Sequence, residues 1–255
     1  MLLVADIGNS QVSIGVYDNE NLSYRWGLTS VKAFSEDEYG ILLYNLLAKE
    51  GIVDRIEGAI VSSVVSHLTH GLKAAIEKYL KISPVMVSHF INLGGSKLLV
   101  DRPEEVGADR ICNVVAAITL YEPPLVVVDM GTATTFDVID KEGNFIGGAI
   151  CPGVGLSIRT LASNTSLLPD IQVDHIRKVV ATGTVTNILS GTVIGHAAMI
   201  DGMFDRIEKE LGMSINTVAT GGYSIYVEEH MHRQFNHINP QLTMDGLQFI
   251  YNLNK

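Results

Sequence analysis

The sequence has only two cysteines, Cys112 and Cys151, among its 255 residues. Neither belongs to a Cys-x-x-Cys pair or to a zinc-like spacing, so the chain lacks the material for a disulfide framework or a cysteine-based metal site. Thiols of this kind are most simply small buried groups that are kept reduced inside a cell. We therefore expect the fold to be stabilised without disulfides and without bound zinc.

Basic charge is also scarce. The chain has 18 Lys and Arg against 28 Asp and Glu, which gives a formal net charge of −10. This charge argues against general nucleic-acid binding, which needs a basic face, and against attraction to anionic membranes. An anionic nucleotide would need local help from glycine-rich backbone, helix N-termini, a metal or a few basic side chains.

Long hydrophobic runs are missing as well. No stretch of about 18 apolar residues is free of polar interruption, so the sequence predicts no transmembrane helix. The N-terminus begins directly with a strand pattern and shows neither the basic nor the apolar segment of a secretory signal. These absences predict a cytoplasmic protein, and an apolar content of 47% indicates a well-filled globular core.

One short pattern occurs twice. Residues 3–10 read LVADIGNS, and residues 127–135 read VVDMGTATT. In each copy an apolar strand ends in Asp-x-Gly and an alternating second strand follows, which is typical of a β-hairpin. The turn offers a carboxylate beside backbone N–H groups with little side chain in the way. Two such hairpins predict a site for a phosphate chain and its metal.

The elements around the two copies also repeat. Each copy begins three successive strands, and helices alternate with strands after them. We therefore predict an α/β protein formed by internal duplication, with domains 1–117 and 118–255 and a cleft between them. A long helix is predicted over 184–211, ending at Gly212, and a C-terminal helix over 243–253.

Asp6 and Asp129 are the first candidate site residues. A single Asp after a strand is most often a turn former that bonds its own backbone. Two copies at equivalent places in two halves favour a functional role, because carboxylates are good oxygen ligands for Mg²⁺ and its waters. The N–H groups expected to approach phosphate oxygens are those of Gly8, Asn9, Ser10, Gly131 and Thr132.

A second candidate is the run Gly107-Ala108-Asp109-Arg110, which opens a helix predicted over 110–121. Asp109 is either an N-cap, a device worth about 1 kcal/mol, or a general base toward a substrate hydroxyl. Arg110 is either an ordinary first-turn residue or a clamp for a substrate carboxylate. One base and one clamp would suffice for a kinase, because phosphoryl transfer depends mainly on positioning and charge neutralisation.

Glycine pairs supply two weaker candidates. Thr220-Gly221-Gly222 follows a strand and is either a tight turn or a place where the flat base of adenosine lies close to backbone. Gly147-Gly148 is compatible with close packing, with a dimer seam or with a ligand. The eight histidines show no His-Glu-x-x-His or similar spacing, so no histidine metal site is predicted.

Together these patterns resemble type III pantothenate kinase, a family of the acetate kinase/Hsp70/actin-like ATPase superfamily. The resemblance runs nearly end to end, and its most specific pieces are Gly-Ala-Asp-Arg at 107–110 and Asp-x-Gly-Thr-Ala-Thr-Thr at 129–135, in this order. It also includes the segments 6–10, 147–150, 168–169, 190–191, 220–222 and 242–247.

The resemblance implies two duplicated ribonuclease H-like (actin-like ATPase) domains. It also implies ATP-dependent phosphorylation of pantothenate to 4′-phosphopantothenate, the first step of coenzyme A biosynthesis. Asp109 would be the proton acceptor, and Gly107, Ala108, Asp109, Arg110 and Thr184 would contact pantothenate. ATP would contact a larger set, namely Asp6, Ile7, Gly8, Asn9, Ser10, Gln11, Val12, Ser13, Thr132, Gly221 and Gly222.

Cofactors and partners are implied in the same way. Mg²⁺ would lie near Asp6, reached through water, and a monovalent cation, K⁺ or NH₄⁺, would lie at Asp129. Family members are homodimers that enclose pantothenate near the interface. The chain departs from the family pattern at residues 181–184, which read Ala-Thr-Gly-Thr where Gly-Lys-Asn-Thr is usual.

Two other classes of protein are open alternatives. The same family includes regulators named Bvg accessory factors, but the missing basic face makes direct DNA contact unfavourable. An Hsp70-like ATPase module would need a partner-binding domain, for which the 255 residues leave no room.

Overall fold

The computed structural model describes residues 1–30 and 34–255. Its strands are, in chain order, β1 (Leu2–Ile7), β2 (Gln11–Asp18), β3 (Asn21–Thr29), β4 (Gly58–Ser63), β5 (Val85–Met86), β6 (Leu125–Met130), β7 (Ala133–Ile139), β8 (Phe145–Pro152), β9 (Asn216–Thr220) and β10 (His237–Ile238). Its helices are α1 (Glu36–Lys49), α2 (Ser66–Ala75), α3 (Ala108–Leu120), α4 (Val154–Asn164), α5 (Thr184–Leu189), α6 (Gly195–Leu211), α7 (Ser224–Glu228) and α8 (Leu242–Asn254). π-helical turns continue α2 at Ile76–Leu80 and join α5 to α6 at Ser190–Ile194.

The described residues form two compact units. The first consists of Met1–Leu120 and Gln241–Lys255, and the second of Tyr121–Pro240. The sequence predicted domains of 1–117 and 118–255. The division in mid-chain is close to the predicted one, but the C-terminal segment belongs with the first unit rather than with the second.

Helix α8 belongs to the first unit because it packs directly on α3. A Cβ placed on Gly246 would collide with the carbonyl oxygen of Cys112, so only glycine lets the two backbones come this close. The Thr243 hydroxyl donates a hydrogen bond to Asn113 Oδ1 at 2.8 Å. The predicted boundary followed the order of the chain, whereas these contacts decide where the helix lies.

The first unit is a five-stranded sheet with helices on both faces. The strand order is β3-β2-β1-β4-β5. β1 pairs with β2, and β2 with β3, in antiparallel fashion, whereas β1 pairs with β4, and β4 with β5, in parallel. Leu3 and Ile7 of β1 pack with Leu43 and Leu72 of α1 and α2. Val4, on the other face of β1, packs with residues of α3 and α8. Alternation along β1 therefore buries both of its faces.

The second unit repeats this arrangement. Its strand order is β10-β9-β6-β7-β8, which, from the opposite end, matches the first sheet strand for strand. The parallel and antiparallel pairs match as well. Val128 and Phe136 pack against Ile200 and Phe204 of α6 in its core. The predicted α/β class and internal duplication are confirmed; the cleft predicted between the halves stays a prediction.

The helix ends follow local sequence signals. Ser35 caps α1, because its Oγ accepts from Glu38 N–H at 3.3 Å while its own N–H donates to Glu38 Oε2 at 2.8 Å. Gly212, predicted to end the long helix, and Gly51, just after α1, both have a φ of +68°, which favours glycine. The helix predicted over 184–211 is present as α5, the π-helical turn and α6. Among residues 1–30 and 34–255, no helix is both long enough and apolar enough to cross a membrane.

Candidate active site

Asp6 lies near the end of β1, between hydroxyl residues on both neighbouring strands. In the sheet register it pairs with Ser13 of β2 and Ser62 of β4. Alternation along the strand puts its side chain on the same face as Leu2 and Val4, which pack against α3 and α8. The carboxylate is half-buried. It therefore stands at the rim of the sheet, on the side covered by α3.

The turn after Asp6 is held by its own backbone. The Gly8 N–H donates to Gln11 O at 3.0 Å, and Gly8 O accepts from the Ser30 hydroxyl at 2.7 Å. The Gly8 N–H is therefore occupied within the hairpin. Of the three N–H groups that the sequence predicts as phosphate donors in this hairpin, those of the exposed residues Asn9 and Ser10 are left.

Two residues of the predicted nucleotide run belong to the core. Ile7 and Val12 are both 0% exposed and pack in the apolar cluster between the sheet and helices α1 and α2. Their side chains shape the hairpin and cannot meet a ligand. Any contact that these two residues make with a nucleotide would use their backbone atoms.

Asp109 lies in the first turn of α3. The helix begins at Ala108, so Asp109 is inside it and is not its N-cap. Its Oδ1 accepts from the Arg110 N–H at 2.7 Å. A Cβ on Gly107 would lie 2.5 Å from that same oxygen, so a side chain there would displace the Asp109 carboxylate. Burial raises the pKa of Asp109 above its usual range, and the Arg110 N–H and guanidinium offset part of this rise.

Cys112 connects Asp109 to Asp6. It follows Asp109 by one helical turn, and its thiol is 0% exposed. Burial raises the pKa of this thiol well above its usual range, the charges of Asp6 and Asp109 raise it further, and the neighbouring Ser62 hydroxyl lowers it. The charges of Asp6 and Asp109 therefore both act on one buried thiol of the first unit.

Asp129 occupies the equivalent place in the second unit. It pairs with Thr135 of β7 and Thr220 of β9, so hydroxyl residues flank it on both sides, as they flank Asp6. The Gly131 N–H donates to Ala133 O at 3.1 Å. In this turn too, the glycine N–H that the sequence assigned to phosphate is occupied by the hairpin.

Thr132 follows in the same turn, and Gly153 packs against its backbone. Its carbonyl oxygen accepts from the Gly153 N–H at 3.2 Å, and a Cβ on Gly153 would lie 2.5 Å from the carbonyl oxygens of Gly131 and Thr132. Gly153 therefore cannot be replaced without moving the turn.

Gly221 lies directly on the backbone of Met130. It has a φ of +88, and a Cβ there would come within 2.5 Å of Met130 N and C. The Tyr223 N–H donates to Met130 O at 3.2 Å, which fixes the turn. A Cβ on Gly222, in contrast, would meet no atom within 4 Å among the described residues. This turn therefore lies at the same rim as Asp129, with open space beside Gly222.

Thr184 is the first residue of α5 and is exposed. Gly183, before it, is held by a hydrogen bond from its N–H to Thr186 Oγ1 at 3.2 Å. The assignment of Thr184 to pantothenate stays a prediction.

The sequence reasoning missed one polar pair of the second unit. His196 Nε2 lies 2.8 Å from Thr134 Oγ1, and the side chains are 7% and 0% exposed. Burial lowers the pKa of His196 to about 4, so the ring is neutral near pH 7. Its position on the apolar face of a predicted helix was a signal, because a buried histidine needs a hydrogen-bonding partner.

The acidic side chains suit a metal ion that is coordinated mainly by waters and substrate phosphates. In the described part of the chain, no group of three or more His, Cys, Asp and Glu side chains could hold a metal ion by itself. Asp6 and Asp129 instead each offer a carboxylate flanked by hydroxyl residues within their own unit. The carboxylate of Asp6 suits Mg²⁺, which keeps several waters and binds through one or two carboxylates together with substrate phosphates.

Known sequences match this chain along its length. The family model for type III pantothenate kinase matches residues 2–206. A type III pantothenate kinase from Dehalococcoides mccartyi (strain CBDB1) is 41% identical over 255 residues, covering 100% of this chain and 96% of the relative. One from Roseiflexus castenholzii is 40% identical over 256 residues and is covered completely, as is this chain.

Solved structures share the fold at low identity. A crystal structure from Campylobacter jejuni, described as a Baf family transcriptional activator, has a TM-score of 0.59 at 20% identity. The match covers 98% of this chain and 97% of the Campylobacter chain. An inorganic polyphosphate/ATP-glucomannokinase from Arthrobacter sp. strain KM has a TM-score of 0.52 at 13% identity. That match covers 99% of this chain and 97% of the glucomannokinase chain. At such identities these likenesses concern the fold alone.

Proposed function

The chain belongs to the type III pantothenate kinase family, and from this premise we propose that Asp109 is the base of the reaction. The reaction is the ATP-dependent phosphorylation of pantothenate to 4′-phosphopantothenate, the first step of coenzyme A biosynthesis. The regulator alternative is not better supported, because the likeness to a transcriptional activator, at 20% identity, extends to the fold alone.

The observation that supports Asp109 is its half-buried position at the start of α3. Burial raises its pKa, and a carboxylate with a raised pKa is a stronger proton acceptor. In the reaction, the hydroxyl oxygen of pantothenate forms a bond to the γ-phosphorus of ATP while the bond from that phosphorus to ADP breaks. The hydroxyl proton passes to the Asp109 carboxylate.

For pantothenate we propose residues 107–110 as the first-unit contact. The Arg110 guanidinium is suited to the substrate carboxylate, because its planar fork can donate two parallel hydrogen bonds. Ala108 is 8% exposed, so its contact would be made mainly by backbone. Gly107 leaves room for Asp109 Oδ1, which a side chain at that position would displace.

For ATP we propose residues 6–13 of the first unit, with Thr132 and the turn 221–222 of the second. Asn9 and Ser10 are exposed in the hairpin turn and can offer side chains and N–H groups to phosphate. The open space beside Gly222 supports a flat base lying against backbone there.

Two cations are part of the proposal. Mg²⁺, held by the phosphates and by Asp6 through water, would supply positive charge against the negative charge that builds up on the transferred group. Asp129 would hold K⁺ or NH₄⁺, because its negative charge attracts a cation and the neighbouring residues Thr135 and Thr220 carry hydroxyl oxygens.

A homodimer in the cytoplasm is also proposed from the family resemblance. Thr184, exposed at the start of α5, would then complete the pantothenate contact. Replacing Thr184 by Val should raise the KM for pantothenate and leave the KM for ATP unchanged. An unchanged KM for pantothenate would remove Thr184 from the site.

The function is tested by an ADP-release assay with ATP and Mg²⁺, run with and without pantothenate and in K⁺, NH₄⁺ or Na⁺ salts. We expect ADP only when pantothenate is present, and faster release in K⁺ or NH₄⁺ than in Na⁺. ADP release that is independent of pantothenate would contradict pantothenate as the substrate. Equal rates in the three salts would contradict the proposed binding site for a monovalent cation.

The cation assignment has its own variant. Asp129→Asn should abolish the stimulation by K⁺, because it removes the charge that attracts the cation. Asp205→Asn, an exposed acid on α6, is the matched control and should keep the stimulation. If both variants respond to K⁺ as the wild type does, Asp129 is not the cation ligand.

A further inference from the structure

The pair formed by His196 and Thr134 has no part in the mechanism described above. Both side chains are buried, at 7% and 0% exposure, and the Nε2 to Oγ1 distance is 2.8 Å. A polar pair this deeply buried is costly to break, because each group then loses its hydrogen bond without gaining water. The pair therefore holds two elements of the second unit at a fixed spacing.

One of these elements is the hairpin that carries the second-unit site. Thr134 pairs with Met130 across β6 and β7, directly beside the turn of Gly131 and Thr132. Gly153 packs against that turn: its N–H donates to Thr132 O at 3.2 Å, and a Cβ on it would lie 2.5 Å from the carbonyl oxygens of Gly131 and Thr132. The buried hydroxyl of Thr134 anchors the same hairpin from its core side.

The other element is the helix that contains α5 and α6. His196 is the second residue of α6, two positions after the end of the π-helical turn Ser190–Ile194. π-helical turns inside α-helices occur frequently at functional sites, where they change the face that a side chain occupies. The ring is neutral near pH 7, so Nε2 can serve as donor or acceptor toward the hydroxyl without burying a charge.

We propose that His196 is a positioning residue: by holding Thr134, it fixes the turn of Gly131 and Thr132 in the geometry that receives ATP. This inference rests on the proposed contact between Thr132 and ATP. A turn whose anchor is lost samples several geometries, and binding then selects only a fraction of them. The effect therefore falls on ATP affinity rather than on the chemical step.

The test compares variants that remove the hydrogen bond with variants that keep it. Thr134→Val and His196→Leu remove the bond at similar volume, whereas Thr134→Ser and His196→Gln can still form it. We expect the first two to raise the KM for ATP about five- to ten-fold, as the loss of one hydrogen bond predicts, with the KM for pantothenate unchanged. In Thr134→Ser and His196→Gln, the rise in the KM for ATP should be at most half as large.

A double variant and an exchange measurement complete the test. If the two side chains act as one unit, combining Thr134→Val with His196→Leu raises the KM for ATP no further than either change alone. Effects that multiply would overturn the inference. So would variants that lower kcat in proportion to the folded fraction and leave the KM for ATP unchanged, because a merely structural role predicts that pattern.

Hydrogen exchange separates this inference from the function on which it rests. In the wild type, ATP should slow amide exchange in residues 130–136, and in Thr134→Val it should do so only at higher ATP concentration. Absence of protection in the wild type would remove the proposed ATP contact itself. Protection that is equal in the wild type and in both Thr134→Val and His196→Leu would leave that contact standing and overturn the role of His196.

Discussion

Acid should destabilise the second unit through His196. Burial lowers the pKa of this ring to about 4, against 6.5 for an unperturbed histidine. Above pH 6.5 the ring is neutral in both folded and unfolded chains, so it has no effect on stability. As the pH falls below 6.5, the unfolded chain takes up a proton that the folded chain refuses, and the free energy of unfolding decreases by about 1.4 kcal/mol per pH unit. The loss is about 2 kcal/mol at pH 5 and about 3 kcal/mol at pH 4, where it levels off.

The measurement is native-state hydrogen exchange of the β7 and α6 amides in the wild type and in His196→Gln, at pH 7.5 and pH 5. Glutamine can still bond Thr134 but does not titrate in this range. We expect the free energy of opening of the wild type, taken relative to the variant, to fall by about 2 kcal/mol between the two pH values. A difference that is the same at both pH values would refute the reasoning.

Three further predictions follow from single contacts. Gly221→Ala, at a φ of +88 and within 2.5 Å of Met130 N, should lower the unfolding free energy by about 3 kcal/mol or more, which a thermal-shift assay would detect; an unchanged midpoint would contradict it. Tyr17→Phe removes the 2.6 Å bond to Asp245 Oδ1 and should cost about 1.5 to 3 kcal/mol in urea unfolding, with a loss near zero as the contrary result. Cys112 is fully buried, so a thiol reagent should modify only the other, half-exposed cysteine in the native protein and both after denaturation; rapid labelling of both would show that α3 opens.

The repeated hairpins made much of the fold predictable. Asp-x-Gly after an apolar strand fixes the strand end, and two copies indicate duplication, which the matching strand orders confirm. Local stop signals located helix ends as well, such as Gly212 after α6. These features depend on residues that are neighbours in the chain, which is why the sequence alone suffices for them.

Contacts between distant residues could not be predicted in this way. Thr243 and Asn113, 130 positions apart, show that α8 belongs to the first unit, whereas chain order assigned it to the second. The Cys112 thiol was interpreted only as a small buried group, since its proximity to both Asp6 and Asp109 depends on how α3 crosses the sheet.

Hydrogen-bond bookkeeping also needed the structure. The sequence pointed to the N–H groups of Gly8 and Gly131 as phosphate donors, because glycine leaves its backbone accessible. Both groups instead close their own hairpin turns, a pairing that depends on the geometry of the second strand and not on residue type.

The most direct test of the whole account is the formation of 4′-phosphopantothenate by the wild type and by Asp109→Asn, measured by mass spectrometry alongside ATP binding by calorimetry. We predict that the wild type forms one phosphopantothenate for each ADP released. Asp109→Asn should bind ATP as tightly but form product at least about 100-fold more slowly, since it lacks the proton acceptor. Product formation by Asp109→Asn at the wild-type rate would contradict the assignment of Asp109 as the base.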